Sequence, residues 1–361
     1  MAGPADSPFG LGGPEPAPPD PVAPERPNRT VLWVLAAAVG LLAVAVLALV
    51  AVLVLGGGGG DNDGAARPGA SSATTGPTTT ATGDGPGASG DAIRPGGQVQ
   101  GEVRLEERSV QQGVLQRPYL VISPADPGGE RLPAVMVLHG LTFDRNSMAA
   151  TADWRAAVAR DRFVAVFPQG VLDSWNAGPC CPPSNLAGTD DVGYLTAVAE
   201  EVGRRTDVDP SRRFLTGFSN GGIMTYTLAC ARPTLFAAVA PMAGSNVSGC
   251  APPSPVSLLH VHGDPDPTVP YDGSLTASRV LSSAPFPDVP TSVGAWAAAD
   301  RCEPDPVVAE GPPGVRTRTW RNCADGARVE LVTHPGNGHT WPKSPVEGID
   351  LALRFFGIRP S

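Results

Sequence analysis

The sequence predicts an α/β fold with a mostly parallel central sheet and helices on both faces, and three observations point to it. Apolar strand-like and helix-like segments alternate through about 265 C-terminal residues. The residues able to carry chemistry each fall just after a predicted strand, where an open α/β sheet gathers its active site. Finally, Gly217-Phe218-Ser219-Asn220-Gly221 stands between a strand-like Arg213–Thr216 and an apolar helix-like Gly222–Cys230. That is the strand–turn–helix setting of a nucleophile elbow, in which a serine sits on a strained turn with its hydroxyl exposed.

The chain divides into four parts. Residues 1–29 are rich in proline and small residues without apolar periodicity, and read as a disordered cytoplasmic tail. Residues 30–55 contain an uncharged apolar run from Val31 to Leu55, about 25 residues, long enough to cross a bilayer. Arg26 and Arg29 precede this run while Asp61 and Asp63 follow it, so the positive-inside rule places the rest of the chain outside the cell. The apolar region is too long for an ordinary cleaved signal peptide and lacks a clear Ala-x-Ala site, which favours a single-pass signal anchor. If it were cleaved, the protein would be secreted. Residues 56–95 form a Gly/Ser/Thr/Pro tether whose ends lie about 35 Å apart by random-coil statistics. Residues 96–361 are the one folded domain.

Within that domain the predicted order begins with a strand at Pro133–His139. A helix near Met148–Arg160, a strand at Phe163–Phe167 and a helix near Asp191–Arg205 follow. The elbow and its helix come next, then strands at Ala237–Met242, Leu258–Gly263 and Glu330–His334, and a closing helix at Ile349–Phe356. The connection after Ala237–Met242 is short and leaves no room for a large cap, so an open site is expected.

Ser219 is a poor nucleophile until a base takes its proton, and His339, in the loop Pro335-Gly336-Asn337-Gly338-His339, is the candidate base. An acid must orient that imidazole. Asp264 and Asp266 share one turn after the Leu258–Gly263 strand, and chemistry alone leaves both open. His139-Gly140-Leu141-Thr142 follows the first strand, where a backbone amide of Leu141 or Thr142 would pair with that of Asn220 as an oxyanion hole.

Taken together, these segments resemble the polyhydroxybutyrate depolymerase-type esterases, a branch of the α/β-hydrolase fold that includes feruloyl and acetylxylan esterases. The resemblance rests on Val137-Leu138-His139-Gly140, Gly217–Gly222, the run from His262 through Asp266 to Tyr271, and Gly338-His339-Thr340-Trp341-Pro342. It begins near Arg117, covers the rest of the chain, and selects Asp266 as the triad acid. It implies a serine esterase working through an acyl-enzyme, without cofactor or metal, on esters that include polymer-attached ones. Trp175 and Trp341 are candidate substrate-binding residues. The other readings of the same residues are an acyltransferase or a non-catalytic, membrane-tethered binding protein.

Composition narrows the partners. The net charge is −9 and no basic patch stands out, which speaks against nucleic acid. No obligate protein partner is evident, and the membrane is reached through the N-terminal segment alone. All six cysteines follow the apolar segment. Their even number in an oxidising compartment predicts disulfides, with Cys302–Cys323 as the first pair and a staple on the Trp175–Gly188 loop. His260-x-His262 has metal-ligand character, but a packing role for His260 competes with it. Asp191 is expected to cap its helix.

Overall fold

Val135 and Val137 face one side of the sheet while Ala134, Met136 and Leu138 face the other, and all five are buried. A strand that buries both faces must sit in the middle of a sheet with helices on each side. The computed structural model describes residues 98–205, 207–274, 281–311, 313–343 and 346–360 and has that architecture. The expected tail (1–29), anchor (30–55) and tether (56–95) lie outside the described residues. Among the described residues, no helix is long and apolar enough to cross a membrane.

Eleven strands form one sheet: β1 (Gln98–Gln100), β2 (Val103–Gln112), β3 (Leu115–Pro124), β4 (Leu132–Leu138), β5 (Val164–Pro168), β6 (Val208–Phe218), β7 (Ala238–Met242), β8 (Ser257–Gly263), β9 (Val307–Glu310), β10 (Arg316–Trp320) and β11 (Val329–His334). Their spatial order is β1-β2-β3-β5-β4-β6-β7-β8-β11-β10-β9. The run from β5 to β11 is parallel throughout. Both flanks are antiparallel, β1-β2-β3-β5 on one side and β11-β10-β9 on the other. The expectation of a mostly parallel sheet therefore holds for its centre only. The antiparallel strands escape a search for βα alternation because short turns join them, such as Gly113-Val114 between β2 and β3.

The α-helices among the described residues are α1 (Arg145–Thr151), α2 (Trp154–Asp161), α3 (Ser184–Ala187), α4 (Asp191–Gly203), α5 (Asn220–Ala231), α6 (Val289–Ala299) and α7 (Gly348–Phe355). Residues of α4, α5 and α6 pack into one core, and those of α1, α2 and α7 into the core on the opposite face. The single helix expected at Met148–Arg160 is two. Asp153 breaks it by accepting the Ala156 amide at 3.3 Å and starting α2 afresh. Asp191 also differs from expectation. Asp190 caps α4, accepting the Gly193 amide at 2.8 Å, while Asp191 is buried and pairs with Arg117 at 2.6 Å.

Three disulfides join Cys180–Cys181, Cys230–Cys250 and Cys302–Cys323. The last encloses the β9–β10 hairpin. The staple expected on the Trp175–Gly188 loop joins two adjacent residues, so it ties the loop to no other element. Hydrogen bonds hold the loop instead. Asp191 accepts the Asn176 amide at 2.7 Å, and Ser184 Oγ bonds Ser174 Oγ at 2.6 Å and the Val171 carbonyl at 2.7 Å.

Asp300, at the end of α6, is buried, has no ion pair among the described residues, and receives the Val256 amide at 3.2 Å. Burial raises its carboxyl from 3.8 to about 6, against the opposing pull of the Val256 amide and Trp296. The folded state thus holds this proton more tightly than the unfolded chain. Its stabilising contribution is complete below the unfolded value near 3.8 and is lost as pH rises through about 6. Asp300→Asn keeps an oxygen for the Val256 amide and removes the titration. Urea midpoints across this range should fall with pH in the parent and stay flatter in the variant, the gap at pH 8 being on the order of 2–3 kcal/mol. Parallel curves for the two proteins would reject the assignment.

Candidate active site

The site forms where β4, β6, β8 and β11 end. Ser219 follows β6 directly and adopts φ 55° and ψ −118°, a conformation that side chains rarely tolerate. The flanking glycines are sterically required. A Cβ on Gly217 would strike the Gly221 backbone, and one on Gly221 would meet the carbonyls of Leu138 and His139 at 2.5 Å. Ser219 donates its amide to the Met242 carbonyl at 2.9 Å, which ties the strained turn to β7.

His339 reaches this serine from the loop after β11. Its Nε2 lies 2.8 Å from Ser219 Oγ, and its Nδ1 lies 2.8 Å from Asp266 Oδ2. The loop can come this close because Gly263, at the end of β8, has no side chain. A Cβ there would overlap the Asn337 carbonyl. The Asp266 side chain is fully buried, and its Oδ1 accepts the Thr268 and Val269 amides at 2.8 and 2.9 Å. Burial by itself would raise this carboxyl. Hydrogen bonds from His262 and His339, the His339 charge and the Val269 amide outweigh burial and hold it well below the usual carboxylate range. Asp264, the other aspartate of the turn, is not at His339. It accepts the Gly336 amide at 2.9 Å, one step back in the loop that carries the imidazole.

Of the two amides considered for the oxyanion hole beside Asn220, Thr142 is committed elsewhere, donating to the Asp173 carbonyl at 2.9 Å from a residue with φ 67°. That corrects the Thr142 alternative. The Leu141 amide makes no bond to the described protein, and Asn220, as first residue of α5, has no intrahelical acceptor for its own amide. His139 organises this corner. Its Nε2 accepts the Gly170 amide at 2.9 Å and its Nδ1 faces the Gly140 carbonyl at 2.8 Å, so a neutral ring with the proton on Nδ1 satisfies both. Burial lowers its pKa, in keeping with that neutral form.

Trp341 lines the cleft beside Ser219, packed edge-on against Trp154. Trp175, expected at the substrate, does not line the cleft and is completely buried. Its indole donates to the His139 carbonyl at 2.9 Å. The Asn220 side chain clamps its backbone, accepting the Trp175 amide at 2.7 Å and donating to the Trp175 carbonyl at 3.0 Å. Trp175 is therefore a brace beneath the oxyanion corner. Its loop setting, rich in Pro and Cys, suggests exposure because the sequence does not reveal the Asn220 clamp.

The cleft encloses about 620 Å³. Phe143, Phe218, Ile223, Phe286 and Trp341 give it an apolar lining, and the Cys180–Cys181 pair forms part of its wall. Phe143 and Phe286 carry no signal in the sequence, since neither belongs to a motif. The paired histidines His260 and His262 use all four ring nitrogens on one another, Tyr226 and the Val269 carbonyl. Among the described residues there is no cluster of three or more groups suited to a metal ion.

Comparison with known proteins agrees with this geometry. A family model described as the prolyl oligopeptidase family matches residues 184–248, the stretch that contains the elbow. The esterase-named protein NocK of Nocardia uniformis subsp. tsuyamanensis is 33% identical over 237 residues, which cover 61% of this chain and 68% of NocK. The chain belongs to this esterase family, which is related to the feruloyl esterases. Feruloyl esterase B of Piromyces equi is 29% identical over 59% of the chain, and feruloyl esterase C of Emericella nidulans is 38% identical over 36%. The matches span 40% and 46% of those two proteins, less than half of each. Among solved structures, an acetyl xylan esterase from Aspergillus awamori superposes over 71% of this chain and 99% of its own, with a TM-score of 0.52 at 15% identity. That likeness establishes the α/β-hydrolase fold.

The Asn220 clamp makes a direct prediction. Asn220→Ala keeps the backbone amide but leaves the buried Trp175 N–H without a partner, at about 1–3 kcal/mol, while the Trp175 carbonyl keeps the Ala177 amide at 3.1 Å. Urea unfolding should show a loss of about 1–3 kcal/mol. An unchanged midpoint would mean that the clamp does not hold the loop.

Proposed function

We propose that this esterase is an extracytoplasmic serine carboxylic-ester hydrolase of the polyhydroxybutyrate depolymerase/feruloyl esterase type, with Ser219 as nucleophile, His339 as base and Asp266 as orienting acid. The observation that carries this reading is the His339 imidazole bridging Ser219 and Asp266 at 2.8 Å on each side. Ser219 Oγ attacks the ester carbonyl carbon as its proton passes to His339 Nε2. The Asp266 carboxylate stabilises the imidazolium, and the Leu141 and Asn220 amides donate to the oxyanion. Collapse breaks the ester C–O bond, His339 returns the proton to the departing alcohol, and the acyl group remains on Ser219. Water deprotonated by His339 then releases the acid.

The cleft favours a flat apolar acyl group. Its volume suits a ligand with one aromatic ring and a short chain, and aromatic side chains wall it. A hydroxycinnamoyl ester of a polysaccharide fits that description, in line with the names of the relatives. The apolar stretch within residues 30–55, the arginines before it and the three disulfides support a membrane-anchored enzyme facing outward.

Membrane-extracted full-length protein should hydrolyse nitrophenyl acetate, nitrophenyl butyrate and methyl ferulate, with the feruloyl ester preferred in kcat/KM. Ser219→Ala should lower turnover at least about 10⁴-fold. Turnover that survives in Ser219→Ala would rule out the nucleophile. A preference for acetate over ferulate would rule out the acyl assignment. Hydrolysis of an impermeant ester by intact cells, lost when the protein is confined to the cytosol, tests the location.

A further inference from the structure

A line of buried side chains runs behind the acid, away from the cleft. The Tyr226 hydroxyl lies 2.6 Å from His260 Nδ1, His260 Nε2 lies 3.0 Å from His262 Nδ1, and His262 Nε2 lies 2.8 Å from the Val269 carbonyl. That same Nε2 is 3.4 Å from Asp266 Oδ2, the oxygen that also meets His339. All three side chains are at most 1% exposed, and the two imidazoles lie parallel within 3°.

The roles along this line follow from its end. A backbone carbonyl and a carboxylate can only accept, so His262 Nε2 must carry a proton. With both imidazoles neutral, His262 Nδ1 then accepts from His260 Nε2, and His260 Nδ1 accepts from the Tyr226 hydroxyl. Burial, and next to it the neighbouring His262, hold the His260 pKa well below 6.5, which disfavours a charge at the middle of the line. Burial likewise raises the Tyr226 phenol, so its hydroxyl stays protonated and able to donate to His260 Nδ1. Each tautomer is thereby set from the acceptor-only outer end inward, and the proton on His262 Nε2 points at the acid and at its loop.

We propose that His262 is a positioning residue for the reaction. Its Nε2–H spans Asp266 Oδ2 and the Val269 carbonyl and so fixes the carboxylate within the turn that carries it. His260 and Tyr226 behind it complete an arrangement in which all four ring nitrogens are paired. The inference rests on the Ser219–His339–Asp266 reading and adds an inner support to it. A misaligned acid leaves the substrate pocket intact, because neither histidine lines the cleft. The effect therefore falls on kcat rather than on KM.

The test compares two amide variants in the full-length protein. In His262→Gln the side-chain amide nitrogen reaches the place of Nε2 and restores the donor to Asp266. In His262→Asn the shorter amide reaches only the place of Nδ1, so it keeps the contact with His260 and loses the one with Asp266. With nitrophenyl butyrate, His262→Asn should lower kcat about tenfold or more at a KM within about twofold of the parent, and His262→Gln should recover most of the loss. Equal kcat in the Asn and Gln variants, or a loss in KM instead of kcat, would overturn the proposal. Ser219→Ala is measured alongside. If it retains turnover, the triad reading itself fails, whereas an inactive Ser219→Ala beside a fully active His262→Asn defeats only the role of His262.

Discussion

Everything at this site depends on the strained backbone of Ser219. A residue at φ 55° and ψ −118° costs free energy on the order of 1–3 kcal/mol and persists only where its surroundings allow no other path. Here β6 enters the turn in parallel register with both β4 and β7, and α5 leaves at once, with Gly221 pressed against the end of β4 and Gly222 against the end of β7. The strand end and the helix start are each fixed by the core, so the turn between them has no freedom to relax. The strain in turn presents the hydroxyl to His339, which no ordinary turn serine would do.

The loop that closes the oxyanion corner is secured by buried polar groups more than by apolar packing alone. Arg117 pairs with Asp191, stacks over Tyr194 at 3.7 Å and reaches the Gln169 carbonyl at 3.2 Å. Asp191 spends its other oxygen on the Asn176 amide and the Thr189 hydroxyl. Such a pair adds little net stability compared with apolar residues of the same shape, but its directional bonds admit one loop arrangement. Through Asn176 that arrangement passes to Trp175, and through Trp175 to Asn220 and His139. The corner that would hold an oxyanion is thus braced from the far side of α4.

The centre of the sheet and the Ser219 and His339 positions of the proposed triad are legible because each is a local pattern. An apolar strand followed by His-Gly, a Gly-x-Ser-x-Gly turn and a Gly-His loop need only a few adjacent residues to announce themselves. Choosing Asp266 over Asp264 requires a resemblance, since both stand on one turn and only the folded loop shows that Asp264 caps Gly336. Trp175 misleads for a related reason. Its burial depends on Asn220, 45 residues away, and no spacing rule links them. The antiparallel flanks are invisible because β9 is exposed and β2 alternates only in part, so neither gives a continuous apolar run. His260 and His262 share a strand face, as period-two geometry requires. That their partners are Tyr226 and Asp266 depends on how α5 and the turn after β8 pack upon that face.

The contrast between the two sides of the triad has a physical purpose. On the cleft side, Phe143, Phe218, Phe286 and Trp341 lower the local polarity, so an oxyanion there gains more from two fixed amides than it would in water. The same low polarity would penalise a bare carboxylate, and among the described residues Asp266 has no arginine or lysine as a permanent counter-ion. It is made tolerable by two backbone amides, His262 and His339, the last adding its charge when protonated. Donors without charge suit this position better than an arginine would. An adjacent guanidinium would hold the carboxylate so firmly that little of its field remained for the imidazolium formed during attack. Under the proposed mechanism, neutral donors fix the geometry of the acid and leave its charge available to His339, the side chain that becomes charged as Ser219 attacks.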